Sequence, residues 1–308
     1  MTRLRVALTG STGMIGRRIG DALAERGASV TVLSRQDRLP PHQFSRVLGT
    51  LRDHDALTRL VAGADVLIHA ASYVGPDEDL QRETNIAGTV RLYRTAELAG
   101  VRRIVYLSTT GVYGDSHENG ATELTAIASP ASPLSHSRRA AEVETLSRGG
   151  VVLRPNLVAG EGDRWFLLPL VGTMARLGGW IGSDHGEVSW IDSGTLGRVA
   201  AGIAVAPDAA GVFHAAYPEP VPIRDLVLPV LDAAKQEPPI RSLTIGEAAA
   251  ALAPLGVTRR ALAMIAGDRW INADKLWSKL PALPQTPATL GARDLGWYVQ
   301  SLAAAPNR

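Results

Sequence analysis

Gly10, Gly13 and Gly16 recur at three-residue intervals in the run TGSTGMIG, directly after the apolar stretch RLRVALT at 3–9. Each glycine answers a steric demand: the first permits a tight turn, the second lets backbone approach a phosphate, and the third lets the following helix pack closely. That helix would aim unpaired N–H groups at an anion. With Thr12, Met14 and Ile15 completing the turn, the segment reads as a cradle for the pyrophosphate of a dinucleotide. Ser34 and Arg35 close the next apolar run, with Arg38 nearby. An acidic side chain at that place accepts ribose hydroxyls and repels a 2′-phosphate, whereas this pair suits the phosphate. NADP(H) is therefore expected over NAD(H), the alternative being an Arg35 that simply points into solvent.

Such groups need a sheet to present them. Residues 3–9 read as a strand, 14–26 as a helix ended by Gly27, and 28–33 as a second strand. Val47 and Leu48 suggest a third strand. A helix at 55–62, a strand at 64–70, a helix at 83–99, a strand at 104–108, a helix at 135–147 and a strand at 151–154 follow. This alternation predicts a Rossmann-type, doubly wound parallel sheet covered on both faces, an α/β fold. Residues 1–155 form mainly the dinucleotide-binding domain. Residues 156–308, where Gly, Trp and Pro punctuate the chain, form mainly a smaller substrate-binding region with some segments returning to the core. The Ala-rich stretches 196–206 and 246–256 read as packed helices.

Composition narrows the chemistry. The chain has 308 residues, 45% of them hydrophobic and 20% charged, so a sizeable core is available. It has no cysteine, which removes disulfides, thiolate metal sites and cysteine nucleophiles. Its seven histidines show no metal-ligand spacing, so no metal is expected. A net charge of +2 with dispersed arginine pairs argues against a nucleic-acid partner. Short, interrupted apolar runs argue against a membrane span, and the absence of a basic leader before an apolar run argues for a cytoplasmic protein.

Several motifs in order, TGSTGMIG, VLIHAAS at 66–72, TNIAGTVRLYRTAELAGVRRIVYLSTTGVYG at 84–114, LRPNLVAG at 153–160 and ARDLGWYVQSL at 292–302, resemble the extended short-chain dehydrogenase/reductase family in its NAD-dependent epimerase/dehydratase branch. The resemblance implies that Ala70, Ala71, Ser72 and Pro155 border the cofactor, that Asn85 supports the adjacent ribose or strand end, and that Leu51 lies beside adenine. Thr50 stands where the family often has Asp. Thr109 falls on the family's catalytic Ser/Thr, with Thr110 next to it on the substrate side; a purely structural strand-end role for Thr109 is the alternative. The family also implies a homodimer built on the helices matching 85–99 and 135–147. Arg138, Arg139, Glu142 and Glu144 make the second of these polar for a large apolar seam.

The departure lies at the Tyr–Lys pair, one helical turn apart, that moves the proton in family reductases and epimerases. The run PLSHSRRAAE places Leu134 and Arg138 on those positions. Leucine carries no proton to transfer, and arginine holds its own above a pKa of about 12 while still able to contact ribose or phosphate. Tyr73, His117 and His136 are the substitute candidates, and Tyr113 reads as structural. Asn156, Arg164, Trp165, Trp180, His185 and Trp190 are candidates for the substrate pocket, which would suit an aromatic or polycyclic molecule if two tryptophans converge. Asp163 beside Arg164 would either bind a polar substrate or neutralise its neighbour at the surface. Three activities follow. The first is an NADP-dependent reductase of a ketone, enone or imine in a small-molecule biosynthetic pathway. The others are a non-redox cyclase, isomerase or lyase with structural or orienting dinucleotide, and a non-catalytic NADP sensor.

Overall fold

The computed structural model describes residues 3–36, 44–114, 119–255, 257, 259–263, 265–283, 285 and 289–304. Its centre is a seven-stranded parallel sheet. β1 (Arg5–Thr9) lies in the middle, β2 (Ser29–Ser34) and β3 (Phe44–Leu48) follow on one side, and β4 (Val66–His69), β5 (Arg103–Leu107), β6 (Val151–Pro155) and an edge strand Gly211–Ala215 follow on the other. Leu8 pairs with Val32 on one flank and Ile68 on the other, so β1 is buried on both faces, which is why it reads as a continuous apolar run. The chain reverses its direction of growth between β1 and β4. Their carboxyl ends therefore open the crevice in which doubly wound sheets hold ligands.

Helices α1 (Met14–Glu25), α2 (His54–Val61), α4 (Gly88–Leu98) and α5 (Pro133–Leu146) cover the sheet. α1 turns Ile19, Ala22 and Leu23 onto it. α7 (Ser193–Val205) packs against α1 so closely that a Cβ on Gly197 would sit 2.5 Å from the Arg18 carbonyl oxygen. α5 begins two residues before the sequence-based expectation. Pro133 suits the first helical position, and Ser132 and Ser135 satisfy one another's backbone N–H groups.

Between β4 and α4 the chain forms one α-turn, α3 (Glu78–Gln81), and then a π-helix over Arg82–Ala87. After β6 come the short strand β7 (Leu157–Ala159), paired with Trp190–Asp192, and α6 (Leu167–Leu177). The final helix, Ala292–Ala304, returns toward the start of α1: Glu161 meets Arg17 at 2.8 Å, Arg18 at 3.2 Å and Arg293 at 2.6 Å. Among the described residues no helix is long and apolar enough to cross a membrane.

Candidate active site

The glycine turn has the geometry its spacing implies. Gly10 is left-handed at φ +78°, and a Cβ there would lie 2.6 Å from the backbone of Ala70 and Ala71. A Cβ on Gly16 would sit 2.0 Å from the Gly10 carbonyl oxygen, so the helix can begin this close to the turn only without a side chain. Gly13 caps α1 with no side-chain hydrogen bond, and the first turn carries no carboxylate. Thr12 and Gly13 are exposed, Met14 and Ile15 are half-buried, and the buried Ser11 hydroxyl has no partner among the described residues. Uncapped N–H groups at an open helix start fit a dinucleotide pyrophosphate.

At the end of β2 the Ser34 hydroxyl is spent locally, donating to the Gln36 carbonyl at 2.8 Å. Arg35 is exposed and makes no hydrogen bond or ion pair among the described residues. Arg38 lies outside the described residues. Leu51 is buried against Gly88, and its carbonyl accepts from Arg91 Nε at 3.0 Å. Thr50 accepts from the Arg52 backbone at 3.2 Å.

Beyond β4, Ala70, Ala71, Ser72 and Tyr73 line up half-buried at the strand end. Asn85, presented by the π-helix, fixes them. Its Oδ1 accepts from the Tyr73 backbone N–H at 2.7 Å and from Ser72 Oγ at 3.2 Å; its Nδ2 donates to the Tyr73 carbonyl at 2.9 Å and to Ser137 Oγ at 3.0 Å. The Tyr73 ring folds over Gly75, where a Cβ would lie 2.4 Å from the phenol oxygen, and that hydroxyl has no partner among the described residues. Beneath this strand end the fully buried His69 joins Thr9 Oγ1 at 2.7 Å and Thr89 Oγ1 at 2.9 Å. Thr89 donates onward to the Asn85 carbonyl, and the Ala71 N–H donates to Thr9. The imidazole must therefore donate from Nε2 and accept at Nδ1. Burial, with the nearby Arg138 cation, pushes its pKa down to about 3 and keeps it neutral.

Thr109 begins the 3-10 turn Thr110–Tyr113 after β5 and is half-buried. Its Oγ1 accepts from the Gly111 N–H at 3.1 Å, leaving its own O–H to donate elsewhere. Thr110 donates to Asn156 Oδ1 at 2.8 Å, and Asn156 Nδ2 donates to the Ser189 and Arg269 carbonyls. Pro155 is buried at the end of β6. Leu134 is half-buried in the first turn of α5. Arg138 is buried and turned inward: it donates to the Leu107 carbonyl and stacks over Tyr106 at 5.2 Å, while its Nε has no partner among the described residues. His136 is exposed on α5 and lines a cavity of about 480 Å³ with Glu78, Arg82 and Ile86. His117 lies outside the described residues.

The tryptophans do not converge. Trp180, with its Nε1 on the Pro239 carbonyl, and Trp190, against Tyr217, are both buried in the main core. Trp165 is 73% exposed beside exposed Arg164. Asp163 neither pairs with Arg164 nor faces a cleft. It is buried, accepting from the backbone N–H groups of Trp165, Phe166 and Leu167 at 3.0, 2.8 and 2.7 Å and from the Tyr298 hydroxyl at 2.8 Å. His185 is exposed beside Arg224 at 3.1 Å. Among the described residues no group of three or more His, Asp or Glu could hold a metal.

Sequence reasoning missed the polar network under the Thr109 turn. Glu142 and Arg154 are both buried, with Arg154 Nε 2.8 Å from Glu142 Oε1. The signal was available, since an acid eight residues after Leu134 shares a helix face with Arg138, but its partner stands on another strand.

A model of the NAD dependent epimerase/dehydratase family matches residues 6–169. The 2-alkyl-3-oxoalkanoate reductase of Stenotrophomonas maltophilia is 30% identical over 250 residues, which cover 75% of this chain and 76% of that protein. The 3 beta-hydroxysteroid dehydrogenase/Delta 5-->4-isomerase of Mycobacterium tuberculosis is 27% identical over 261 residues, 76% of this chain and 70% of that protein. The crystal structure of WbmH from Bordetella bronchiseptica in complex with NAD+ superposes with a TM-score of 0.78 at 22% identity, covering 97% of this chain and 99% of that one.

Proposed function

The chain belongs to the NAD-dependent epimerase/dehydratase family as an oxidoreductase, and from that premise we propose that it is an NADP-dependent reductase of a ketone, enone or imine in small-molecule biosynthesis. The observation that carries the reading is the pairing of an uncapped, carboxylate-free glycine turn with Arg35 at the end of β2, a guanidinium that has no partner among the described residues. The glycine turn would hold the pyrophosphate, Arg35 the 2′-phosphate, Leu51 the adenine and Ala70–Ser72 the remainder of the dinucleotide. The bound nicotinamide supplies hydride. Similarity to a reductase of 2-alkyl-3-oxoalkanoates and to a hydroxysteroid dehydrogenase supports a carbonyl–alcohol couple.

The protein's own work is to orient the substrate and supply a proton to its oxygen or nitrogen. Thr109 has an O–H to give to that atom, because its lone pair already serves Gly111. Leu134 has nothing to transfer, and Arg138 is turned inward, donating to the Leu107 carbonyl. Tyr73 has a phenol without a partner among the described residues and a backbone held on both sides by Asn85, which favours it as the donor over His136.

Single-turnover mixing of NADPH-loaded protein with 2-alkyl-3-oxo acids and steroid ketones tests this reading. Loss of reduced-nicotinamide absorbance should match alcohol formed, mole for mole. Tyr73→Phe should slow that step by about 100-fold or more, the usual value of a positioned acid, with NADPH affinity unchanged. Product formed without cofactor oxidation would instead make the protein a cyclase, isomerase or lyase.

A further inference from the structure

The turn Thr109–Gly114 is gripped at both ends by one buried ion pair. Glu142, on α5, is 0% exposed, and all four of its acceptor directions are filled. Oε1 takes Ser108 Oγ at 2.6 Å and Arg154 Nε at 2.8 Å, while Oε2 takes Arg154 Nη2 at 2.5 Å and Arg139 Nη1 at 3.0 Å. Arg154, on β6, spends its remaining guanidinium nitrogen on the Tyr113 hydroxyl at 2.6 Å. Ser108 immediately precedes Thr109, and Tyr113 closes the turn that Thr109 begins.

The chain of bonds continues outward with a single consistent direction. Arg154 donates to Tyr113, Tyr113 donates to His214 Nε2 at 2.6 Å, and His214 Nδ1 donates to the Asn272 carbonyl at 2.8 Å. Segment 269–272 is tied to the same turn from the other side, by Arg269 on the Gly114 carbonyl at 2.8 Å and by Asn156 on the Arg269 carbonyl at 3.3 Å.

A buried ion pair is a weak source of net stability, because desolvation offsets most of its attraction and an apolar pair of similar volume often does as well. What it provides that an apolar pair does not is direction: fixed donors and acceptors at fixed angles. We propose that Glu142 and Arg154 are positioning residues for Thr109, holding Ser108 and Tyr113 so that the Thr109 hydroxyl stands at the end of β5 aimed at the substrate. The proposal rests on the assignment of Thr109 as the substrate-facing hydroxyl.

The test reads Thr109 directly, through its γ-methyl resonance in protein labelled with ¹³C-methyl threonine, with the exposed Thr58 as control. Ser108→Ala cuts one link without stranding a charge. Glu142→Gln weakens the pair, and the double variant Glu142→Leu with Arg154→Met replaces it with apolar bulk. The expected result is a displaced or doubled Thr109 resonance in all three, an unmoved Thr58 resonance, and a double variant that melts close to the parent protein. If Glu142→Gln does not fold, Ser108→Ala and the double variant decide. An unmoved Thr109 resonance in the folded variants overturns the proposal and reduces the pair to a packing element. On any ketone the protein turns over, Ser108→Ala should lower kcat by up to about 100-fold with the KM for NADPH unchanged, the cost of a misplaced catalytic group. Absence of NADPH oxidation would sink the reductase reading alone, since the resonances need no substrate.

Discussion

Arg35 carries the choice between two cofactors that differ by one phosphate. Its guanidinium is exposed, and no described carboxylate neutralises it, so its charge is available to a ligand. A hydrogen bond to a charged group contributes about 1.5–3 kcal/mol, which is roughly 10–100-fold in affinity. Arg35→Ala should therefore weaken NADPH binding by about that factor and leave NADH binding within about 2-fold. Titration of both reduced cofactors by fluorescence reads this, and equal losses for the two, or no loss for either, would return Arg35 to solvent. Tyr73 and Thr109 differ from Arg35 in how legible they were. The Thr109 role rests on a resemblance, and only the structure shows that its lone pair serves Gly111 and that Tyr73 is held by Asn85.

At the scale of elements, strands with both faces buried and helices with a glycine stop were legible because their cause is local. The π-helix was not: one extra residue in a turn leaves apolar spacing nearly unchanged, yet it aims Asn85 at the end of β4. The edge strand Gly211–Ala215 was missed although Pro207-Asp208 and Pro218 flank it, because so short a run gains strand character only by pairing with β6. Trp180 and Trp190 looked like pocket walls because flat apolar area serves a pocket and a core equally, and sequence cannot show what covers it. Asp163 was misread for a related reason, since its neighbour Arg164 is one residue away and its true partner Tyr298 is 135 residues away. Its carboxylate satisfies three backbone N–H groups at the start of α6 and the Tyr298 hydroxyl, whose own pKa is raised by burial and by that carboxylate. Asp163→Ala should cost about 2–3 kcal/mol by stranding buried donors, and Tyr298→Phe about 1 kcal/mol. Denaturant unfolding of both variants measures this. A loss below about 0.5 kcal/mol for Asp163→Ala, the range of an ordinary surface change, would mean the helix start is satisfied another way.

Across the whole molecule, two buried histidines, His69 beneath the end of β4 and His214 between Tyr113 and the Asn272 carbonyl, are both held neutral. His69 is fixed between Thr9 and Thr89, with its pKa lowered to about 3 by burial and then by Arg138. His214 is lowered by burial first, with Arg154 and Lys275 in the same direction and Glu123 opposing. An unfolded chain protonates histidine near a pKa of about 6.5, so below that pH the unfolded state binds more protons than the folded one. Stability from these groups is fully present above about pH 6.5 and is lost as pH falls toward the folded values. His69 should contribute a slope approaching about 1.4 kcal/mol per pH unit, up to about 5 kcal/mol by pH 3, and His214 adds a slope of the same sign. Carboxylates with depressed pKa values, Asp65 and Glu161 among them, add a loss of the same sign, but only below the ordinary carboxylate range near pH 4.5. The window from pH 6.5 to 5 therefore isolates the histidines. Urea unfolding free energies at pH 7.5, 6 and 5 should fall steadily across it, and His69→Gln should reduce the slope by about one proton. A flat profile from pH 7.5 to 5 in the parent protein would mean that both imidazoles take up protons in the folded chain as readily as in the unfolded one, and for His69 the donor and acceptor directions of Thr9 and Thr89 stand against that.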